Sequence, residues 1–280
     1  MAIGFIGLGN IGKPMARHLL KLSEPVWVYD VQPGSVAELA ALGAQPASNP
    51  KQLAQHCRIV GLCVRDDQDV EQLLYGDEGL LHNLAADSLV AIHSTVTYDS
   101  VLRWARDAEA RGLHLIDAPI TGGATGAEAA KLCYMVGGDA ALVERCRPVF
   151  LSSGEKLVHA GGVGAGIALK LCNNLMTYAA FTAIHEASAL AAASGLDPAL
   201  LIEVGRANGV VTPQMEAFIG NREKLAQAGP DALKKFMGPF GALGRKDLQA
   251  ALGSAEQLKL SLPATQQNAE LIESVFLKGY

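Results

Sequence analysis

Residues 7–12, with the sequence GLGNIG, constrain the fold of this chain more than any other segment. They follow a short apolar run, AIGFIG, that is typical of a buried strand, and they open an amphipathic segment, NIGKPMARHLLKL, that is typical of a helix. A second apolar strand, PVWVYD, ends in Asp30, 18 residues after Gly12. A strand, a glycine loop, a helix and an acidic strand end together form the fingerprint of a Rossmann dinucleotide-binding unit.

Each glycine of this loop has its own physical role. Gly7 permits a tight turn, Gly9 lets the backbone approach a pyrophosphate closely, and Gly12 lets the helix pack near the strand. The first helical turn adds N–H groups and positive dipole charge. The residues predicted to bind the dinucleotide here are Gly7, Leu8, Gly9, Asn10, Ile11 and Gly12.

Asp30 predicts which dinucleotide binds. A carboxylate at this strand end accepts hydrogen bonds from a ribose diol and repels a 2′-phosphate. The residues that follow it, VQPGS, contain no arginine or lysine that would bind such a phosphate. We therefore expect NAD rather than NADP as the cofactor.

Apolar strand segments alternate with helical segments as far as residue 162. The runs RIVGLCV, SLVAIHS, LHLIDAP, KLCYMVGG and KLVHAG are typical of strands. Such alternation predicts an α/β fold with a doubly wound, mostly parallel sheet and helices on both faces. Ligands of these sheets bind beyond the carboxyl ends of the strands, where the loops CVRDDQ, HSTVT and DAPITGG are expected.

Beyond residue 162 the strand periodicity ends and the pattern becomes helical. The segment IALKLCNNLMTYAAFTAIHEASALAAAS predicts one long helix that ends near Gly195. Further helices are expected over 197–207, 212–226 and 245–260.

The sequence thus predicts two domains joined by the long helix. A nucleotide-binding domain is expected over 1–162 and an all-α domain over 163–280. Because the long helix is apolar around most of its circumference, we expect a second subunit to cover part of it, in a homodimer or homotetramer.

Charge and cysteine content exclude several classes of protein. The net charge is -5, and lysines and arginines form no run or stripe, so we expect neither a nucleic acid nor a membrane as partner. The five cysteines form no C-x-x-C pair, and none has a histidine at zinc-ligand spacing, so no metal site is predicted. Unpatterned cysteines are typical of a reducing compartment, and no signal peptide is recognised before the first strand, so we expect a cytoplasmic location.

The segment GGVGAGIALKLCNN, residues 161–174, places one cation and two amides in an otherwise apolar helix. On a helix, Lys170 shares one face with Asn173, Asn174 and Thr177. These polar residues stop after two turns, and they lie just after the expected domain junction, where clefts form. The pattern is compatible with an ordinary solvated face, but its position favours a functional site.

Four segments together resemble the β-hydroxyacid dehydrogenase family, which includes 3-hydroxyisobutyrate dehydrogenase and tartronate semialdehyde reductase. They are GFIGLGNIGKPMARHL for the cofactor, DAPITGGATGAEAAKL for the substrate, GGVGAGIALKLCNN for catalysis and RKDL near the C-terminal end. The resemblance covers nearly the whole chain, and the segments stand in the family's order. Arg65 departs from the family's pattern, in which a proline usually stands at this place.

The resemblance implies that Lys170 is the catalytic residue and that Asn174 orients the lysine or the substrate. An ammonium group can stabilise a developing alkoxide and shuttle its proton, and burial would lower the pKa of the lysine. The family also implies that the substrate carboxylate binds the hydroxyl and backbone N–H groups of Thr121, Gly122 and Gly123. The further cofactor contacts that it implies are Val64, Arg65, Thr95 and Lys246.

The predicted function is therefore NAD-dependent interconversion of a small 3-hydroxy acid and its semialdehyde. Two alternatives remain open. An imine reductase on the same scaffold usually lacks the lysine, and a non-catalytic NAD-binding module would bind NADH without turnover. Lys170, Asn174 and the glycine loop occur together in this chain, which favours the dehydrogenase, since binding alone needs neither Lys170 nor Asn174.

Overall fold

The computed structural model describes residues 2–279 and divides into two compact units, Met1–Lys170 and Leu171–Tyr280. The division falls within the long helix. The start of this helix belongs to the first unit, because Ile167 on the helix and Val163 just before it pack into the core of that unit. The assignment of domains to 1–162 and 163–280 remains a prediction.

One sheet runs through the first unit. Among residues 2–279 its strands are β1 (Ala2–Ile6), β2 (Val26–Tyr29), β3 (Gln45–Pro46), β4 (Cys57–Leu62), β5 (Leu89–Ile92), β6 (His114–Asp117), β7 (Ile120–Thr121), β8 (Leu132–Gly137) and β9 (Gly154–Gly161). The spatial order is β3-β2-β1-β4-β5-β6-β8-β7, with β9 beside β8. Strands β1 to β6 run parallel, whereas β8 is antiparallel to both β6 and β7. The predicted mostly parallel sheet is confirmed.

Helices connect the strands and then make up the second unit. Those of the first unit are α1 (Gly12–Leu19), α2 (Pro33–Ala41), α3 (Pro50–His56), α4 (Asp67–Leu74), α5 (Leu80–Asn83), α6 (Tyr98–Glu109), α7 (Gly123–Glu128) and α8 (Ala140–Leu151). The long helix α9 (Ala165–Ala193) continues from the first unit into the second, where α10 (Pro198–Ala207), α11 (Pro213–Gln227), α12 (Pro230–Gln257) and α13 (Pro263–Phe276) follow.

Both faces of the sheet are buried, as a continuous apolar strand requires. All four residues of β5 are buried, and alternate side chains point to opposite faces. Leu89 and Ala91 join the core on one face, and Val90 and Ile92 join the core on the other. Because β1 to β6 run parallel, their carboxyl ends lie at one common edge of the sheet.

An aromatic cluster forms the core of the second unit. The rings of Phe181 and Phe218 stack at 4.4 Å between centroids, and Phe276 meets both rings edge-on. Phe181 belongs to α9, Phe218 to α11 and Phe276 to α13, so the cluster ties the long helix to two of its neighbours.

The end of the chain differs from the prediction in two respects. The helix expected over 245–260 is instead α12, which begins 15 residues earlier at Pro230, and α13 was not predicted. Glycines at 241 and 244 weaken the helical pattern in the sequence, but the structure uses them for close packing. A Cβ atom on Gly244 would lie 2.8 Å from the Tyr178 ring, and one on Gly241 would lie 3.1 Å from the Glu273 backbone.

Candidate active site

The predicted cofactor residues of the first unit lie along one edge of the sheet. Gly7 follows β1, Asp30 follows β2, Val64 lies just beyond β4, and Thr95 lies just beyond β5. The four strand spacings from β2 to β6 total roughly 19 Å, at about 4.8 Å each. An edge of that length suits an extended ligand, and the strand order reverses between β1 and β4, where ligands of such sheets bind.

The glycine loop has the geometry that a pyrophosphate requires. Gly7 adopts φ +93°, and a Cβ atom there would lie 2.2 Å from the Cys63 carbonyl oxygen. A Cβ on Gly12 would lie 1.9 Å from the carbonyl oxygen of Gly7, so α1 and the loop are in backbone contact. A Cβ on Gly9 would meet nothing within 4 Å, which leaves the loop open on the side where a phosphate would approach. Leu8, Asn10 and Ile11 complete the loop and lead into the N-terminus of α1.

Asp30 has a structural role in addition to the predicted contact with the ribose. Its carboxylate accepts hydrogen bonds from the backbone N–H of Leu8 at 2.5 Å and of Gln32 at 2.7 Å. The same side chain that is predicted to bind the ribose therefore also fixes the glycine loop. A carboxylate has about four acceptor positions, so two remain for ribose hydroxyls.

The loops after β4 and β5 are tied together by hydroxyl groups. The Val64 N–H donates to Ser94 Oγ at 2.8 Å, and Thr97 Oγ1 donates to Asp67 Oδ1 at 2.6 Å. Thr95, half-buried, lies between these two connections. Its position at the sheet edge is therefore held from both sides.

Arg65 lies in the same loop, but its side chain is bound elsewhere. Its Nε and Nη2 atoms each donate to the Asp69 carboxylate at 2.7 Å, and Asp69 belongs to α4. The guanidinium group beside it lowers the pKa of Asp69. The cofactor contact of Arg65 remains a prediction.

The predicted carboxylate-binding loop is exposed. Thr121 pairs with Cys133 at the end of β7, and Gly122 and Gly123 adopt φ +123° and +62°. Both angles belong to the left-handed region that favours glycine. A Cβ atom on Gly123 would meet nothing within 4 Å, so its backbone is accessible to a ligand.

Asp117, the last residue of β6, holds the start of the long helix. Its Oδ1 atom accepts from the Gly164 N–H and its Oδ2 atom from the Ile167 N–H, each at 2.7 Å. The side chain is buried, and burial raises the pKa of Asp117 although backbone N–H groups oppose the shift. Asp117 thus caps α9 from a strand that lies about 50 residues earlier in the chain.

Lys170 follows Ile167 by three residues on this anchored helix and is half-buried. At 1.5 Å of rise per residue, its Cα lies about 4.5 Å further along the helix axis. Lys170 therefore lies within one turn of the point where Asp117 anchors the helix to the end of β6, within the first unit. Asn174 lies one turn later on the same helix, at the start of the second unit.

In the second unit, Asn174 belongs to a buried polar group around Asp247. The Asn174 Nδ2 atom donates to Asp247 Oδ2 at 2.8 Å, and the Tyr178 hydroxyl donates to the same oxygen at 3.2 Å. Burial, with the neighbouring carboxylate, raises the pKa of Tyr178 well above its usual value, so the phenol remains a donor. Because the amide NH₂ faces Asp247, the carbonyl oxygen of Asn174 points away from that carboxylate, where it accepts from Asn173 Nδ2 at 3.4 Å and keeps a second acceptor position.

Lys246 stands next to this polar group on α12. Its Nζ atom lies 3.6 Å from Asp247 Oδ1, while Asp247 itself is buried. The structure thus brings Asn174 and Lys246 together through the carboxylate of Asp247.

Sequence reasoning missed three further contributors, namely Ser94, Asp117 and Tyr178. Asp117 is the first residue of the predicted substrate segment DAPITGGATGAEAAKL, but its partners are distant in the sequence. Tyr178 lies one turn beyond Asn174, and this spacing was the available signal.

Of the described helices, none is both long and apolar enough to span a membrane.

Comparison with known proteins identifies the family. Residues 2–162 match the model of the NAD binding domain of 6-phosphogluconate dehydrogenase. The chain is 38% identical to 3-hydroxyisobutyrate dehydrogenase of Pseudomonas aeruginosa over 262 residues, which cover 93% of this chain and 87% of that protein. It is 35% identical to the NAD-dependent L-serine dehydrogenase of the same organism, with 99% of this chain and 93% of that protein covered.

A solved structure of 3-hydroxyisobutyrate dehydrogenase from Mycobacterium tuberculosis with L-serine has the same fold. It superposes with a TM-score of 0.83 at 28% identity, and the alignment covers 97% of this chain and 92% of that one. The α/β unit followed by a helical unit, predicted from the sequence, is thereby confirmed. The chain belongs to the β-hydroxyacid dehydrogenase family of NAD-binding oxidoreductases.

Proposed function

We propose that this chain interconverts a small 3-hydroxy acid and its semialdehyde with NAD, and that Lys170 is the general acid and base. The observation that carries the proposal is the anchoring of α9. Through Asp117, the first turn of this helix is bonded to the end of β6, at the edge of the sheet that also holds the glycine loop and Asp30. This anchoring supports a role for Lys170 in proton transfer beside the edge that is proposed to bind the dinucleotide.

Each proposed role follows from the chemistry of the group. Bound nicotinamide supplies the hydride acceptor or donor. In the oxidation direction the neutral Lys170 amine takes the hydroxyl proton, and in the reduction direction its ammonium form returns a proton to the carbonyl oxygen. The carbonyl oxygen of Asn174, directed away from Asp247, accepts from the lysine or the substrate hydroxyl. Thr121, Gly122 and Gly123 bind the substrate carboxylate through N–H and hydroxyl donors.

Preference for NAD over NADP is assigned to Asp30. Its carboxylate is held by the Leu8 and Gln32 N–H groups, so it cannot turn away from a ribose without releasing the glycine loop. A 2′-phosphate would meet this fixed negative charge. We expect a kcat/KM for NAD at least tenfold above that for NADP. Comparable values for the two cofactors would contradict the assignment.

The proposal includes a homodimer or homotetramer in the cytoplasm. Apolar side chains are exposed on several helices of the second unit, among them Met176 and Leu190 on α9, Val204 on α10 and Phe240 on α12. A set of this extent is typical of subunit interfaces. All five cysteines are free thiols, as is common in a reducing compartment. A strictly monomeric species in light scattering at micromolar concentration would contradict the oligomer.

The direct test combines a substrate panel with one substitution. Purified enzyme is assayed for NADH formation with a series of 3-hydroxy acids, and for NADH consumption with the matching semialdehydes. Lys170→Ala is then compared with the control Lys156→Ala, which removes an exposed lysine of β9. General acid–base groups contribute about 10²–10⁴-fold to turnover, so we expect a loss in that range for Lys170→Ala and none for the control.

NADH affinity separates this enzyme from a binding module. We expect Lys170→Ala to bind NADH in fluorescence titration as the unmodified protein does, because the glycine loop and Asp30 are unchanged. A loss of turnover below tenfold would refute the role of Lys170. NADH binding without turnover of any hydroxy acid or semialdehyde in the panel would favour the non-catalytic module.

A further inference from the structure

We propose that Asp117 is a positioning residue, whose buried carboxylate sets the location of Lys170 relative to the substrate loop 121–123. The inference rests on the proposed role of Lys170. It adds a residue that does not touch the reacting atoms and acts through the backbone of α9.

The two carboxylate oxygens of Asp117 hold both sides of one helical turn. Oδ1 accepts from the Gly164 N–H just before the helix, and Oδ2 accepts from the Ile167 N–H inside its first turn, both at 2.7 Å. Only 1% of the Asp117 residue surface is exposed, so water does not compete for these bonds. Two acceptors on a short, buried side chain fix both the depth and the rotation of the helix start.

Glycines bring this helix start into backbone contact with the sheet. A Cβ atom on Gly166 would lie 2.5 Å from the Met135 carbonyl oxygen and 2.9 Å from that of Asp117. A Cβ atom on Gly137 would lie 2.5 Å from Asp117 Oδ1. Ile167 is fully buried in the sheet core. The helix start is therefore in close contact with the sheet on this side. A change at Asp117 would displace it and with it Lys170, three residues beyond Ile167.

Asp117 also begins the segment that carries the substrate loop. Thr121 follows it by four residues, and the intervening backbone is anchored at two points. The Met135 N–H donates to the Pro119 carbonyl oxygen at 2.9 Å, and the His93 Nδ1 atom bonds to the Ala118 carbonyl oxygen at 2.9 Å. One residue thus joins the loop proposed to bind the carboxylate to the helix that carries the proton-transfer group.

An isosteric substitution tests this arrangement. Asp117→Asn keeps the shape but replaces one acceptor oxygen with an NH₂ group, which would face a backbone N–H. Misplacement of a catalytic group by about 1 Å can cost 10²-fold in rate, so we expect kcat to fall by about 10–100-fold. NADH affinity is expected to change less than twofold, since β1, β2 and their loops are untouched. Asp139→Asn, which alters the cap of α8 in the same unit, is the control and should retain kcat.

A double-mutant cycle decides whether Asp117 acts through Lys170. If it does, Asp117→Asn will lower kcat in the unmodified enzyme but will leave the residual rate of Lys170→Ala nearly unchanged. The same fold-loss in both backgrounds would overturn the inference, because it would show a general structural effect. Failure of Lys170→Ala to slow turnover would instead defeat the proposed function, so the two failures are distinguishable.

A measurement independent of activity completes the test. We expect Asp117→Asn to accelerate amide hydrogen exchange at Gly164 and Ile167, with the glycine loop unaffected. Unchanged exchange at both amides would contradict the anchoring role. If Asp117→Asn does not fold, as judged by circular dichroism and NADH binding, Asp117→Ser, which keeps one acceptor, replaces it in the same cycle with the same criteria.

Discussion

Acidification is expected to destabilise the first unit through one buried imidazole, that of His93. This ring lies just beyond β5, stacks on Phe5 at 5.8 Å between centroids, and meets Tyr134 and Phe150 edge-on. Its Nδ1 atom bonds to the Ala118 carbonyl oxygen at 2.9 Å, so the neutral ring is the Nδ1–H tautomer. Burial lowers the pKa of His93 from 6.5 to about 4.

The sign and size of the effect follow from this pKa. Between pH 6.5 and about 4 the unfolded chain holds a proton on His93 that the folded chain does not. The contribution of the neutral ring is therefore complete above pH 6.5 and is lost as the pH falls toward 4. At about 1.4 kcal/mol per pH unit, the free energy of unfolding should fall by about 3.5 kcal/mol across this window.

Urea unfolding at several pH values between about 7 and 4.5 measures this loss. Both tryptophans of the chain, Trp27 and Trp104, belong to the first unit, so their fluorescence reports on that unit alone. His93→Asn removes the titration and retains a donor for the Ala118 carbonyl. His82→Asn, at an exposed histidine, is the matched control.

Comparing His93→Asn with the unmodified chain cancels the contribution to pH-dependent stability of carboxylates that titrate in the same range, because both chains contain them. We expect His93→Asn to be less stable than the unmodified chain at neutral pH. On acidification its free energy of unfolding should fall less steeply, by about 1.4 kcal/mol per pH unit, which corresponds to one bound proton. His82→Asn should follow the unmodified chain. A pH dependence of His93→Asn equal to that of the unmodified chain would refute the reasoning.

Two further predictions concern the site itself. Gly9→Ala should fold with an unchanged melting temperature but bind NADH at least tenfold more weakly, a loss of about 1.4 kcal/mol, because its methyl group meets no protein atom and enters the path of the phosphate. Gly12→Ala should instead disturb the loop itself, since its methyl group would lie 1.9 Å from the Gly7 carbonyl oxygen. Equal melting temperatures and equal NADH affinities for the Gly9→Ala and Gly12→Ala variants would contradict both assignments. Asp247→Asn should lower the free energy of unfolding by about 1–3 kcal/mol and also lower kcat, because it removes the negative charge that strengthens the bonds from Asn174 and Tyr178 and replaces one acceptor oxygen with an NH₂ donor. Tyr178→Phe, which deletes only the longer bond, is its control and should have the smaller effect in chemical denaturation and steady-state assays.

Much of the first unit was predictable because its signals are local. The glycine loop, the alternation of strands and helices, and Asp30 at the end of β2 are each readable within a short window of sequence. The strands β3 and β7 were not predicted, because two residues are too few to show a period. In α12 the helical pattern is interrupted by Pro239 and by glycines, whose use in close packing against neighbouring side chains depends on the tertiary structure.

The candidate site was predictable in its parts but not in its connections. Lys170 and Asn174 share a helical face by spacing alone. The residues that anchor them cannot be found by spacing, because the partners are far apart in the sequence. Asp117 bonds to residues 47 and 50 positions later, and Asn174 bonds to Asp247 across 73 positions. Such pairings depend on the strand order and on helix packing, which one sequence does not encode in any local pattern. The second contact of Asp30, to the Leu8 N–H, escaped prediction for the same reason.

Single-turnover kinetics test the central claim most directly. With enzyme in excess over a 3-hydroxy acid and saturated with NAD, the first-turnover rate of NADH formation reports the chemical step without product release. We predict that Lys170→Ala slows this step by about 10²–10⁴-fold while its NADH dissociation constant stays within twofold of that of the unmodified enzyme. A first turnover of the variant within tenfold of the unmodified rate would show that Lys170 is not the proton-transfer group.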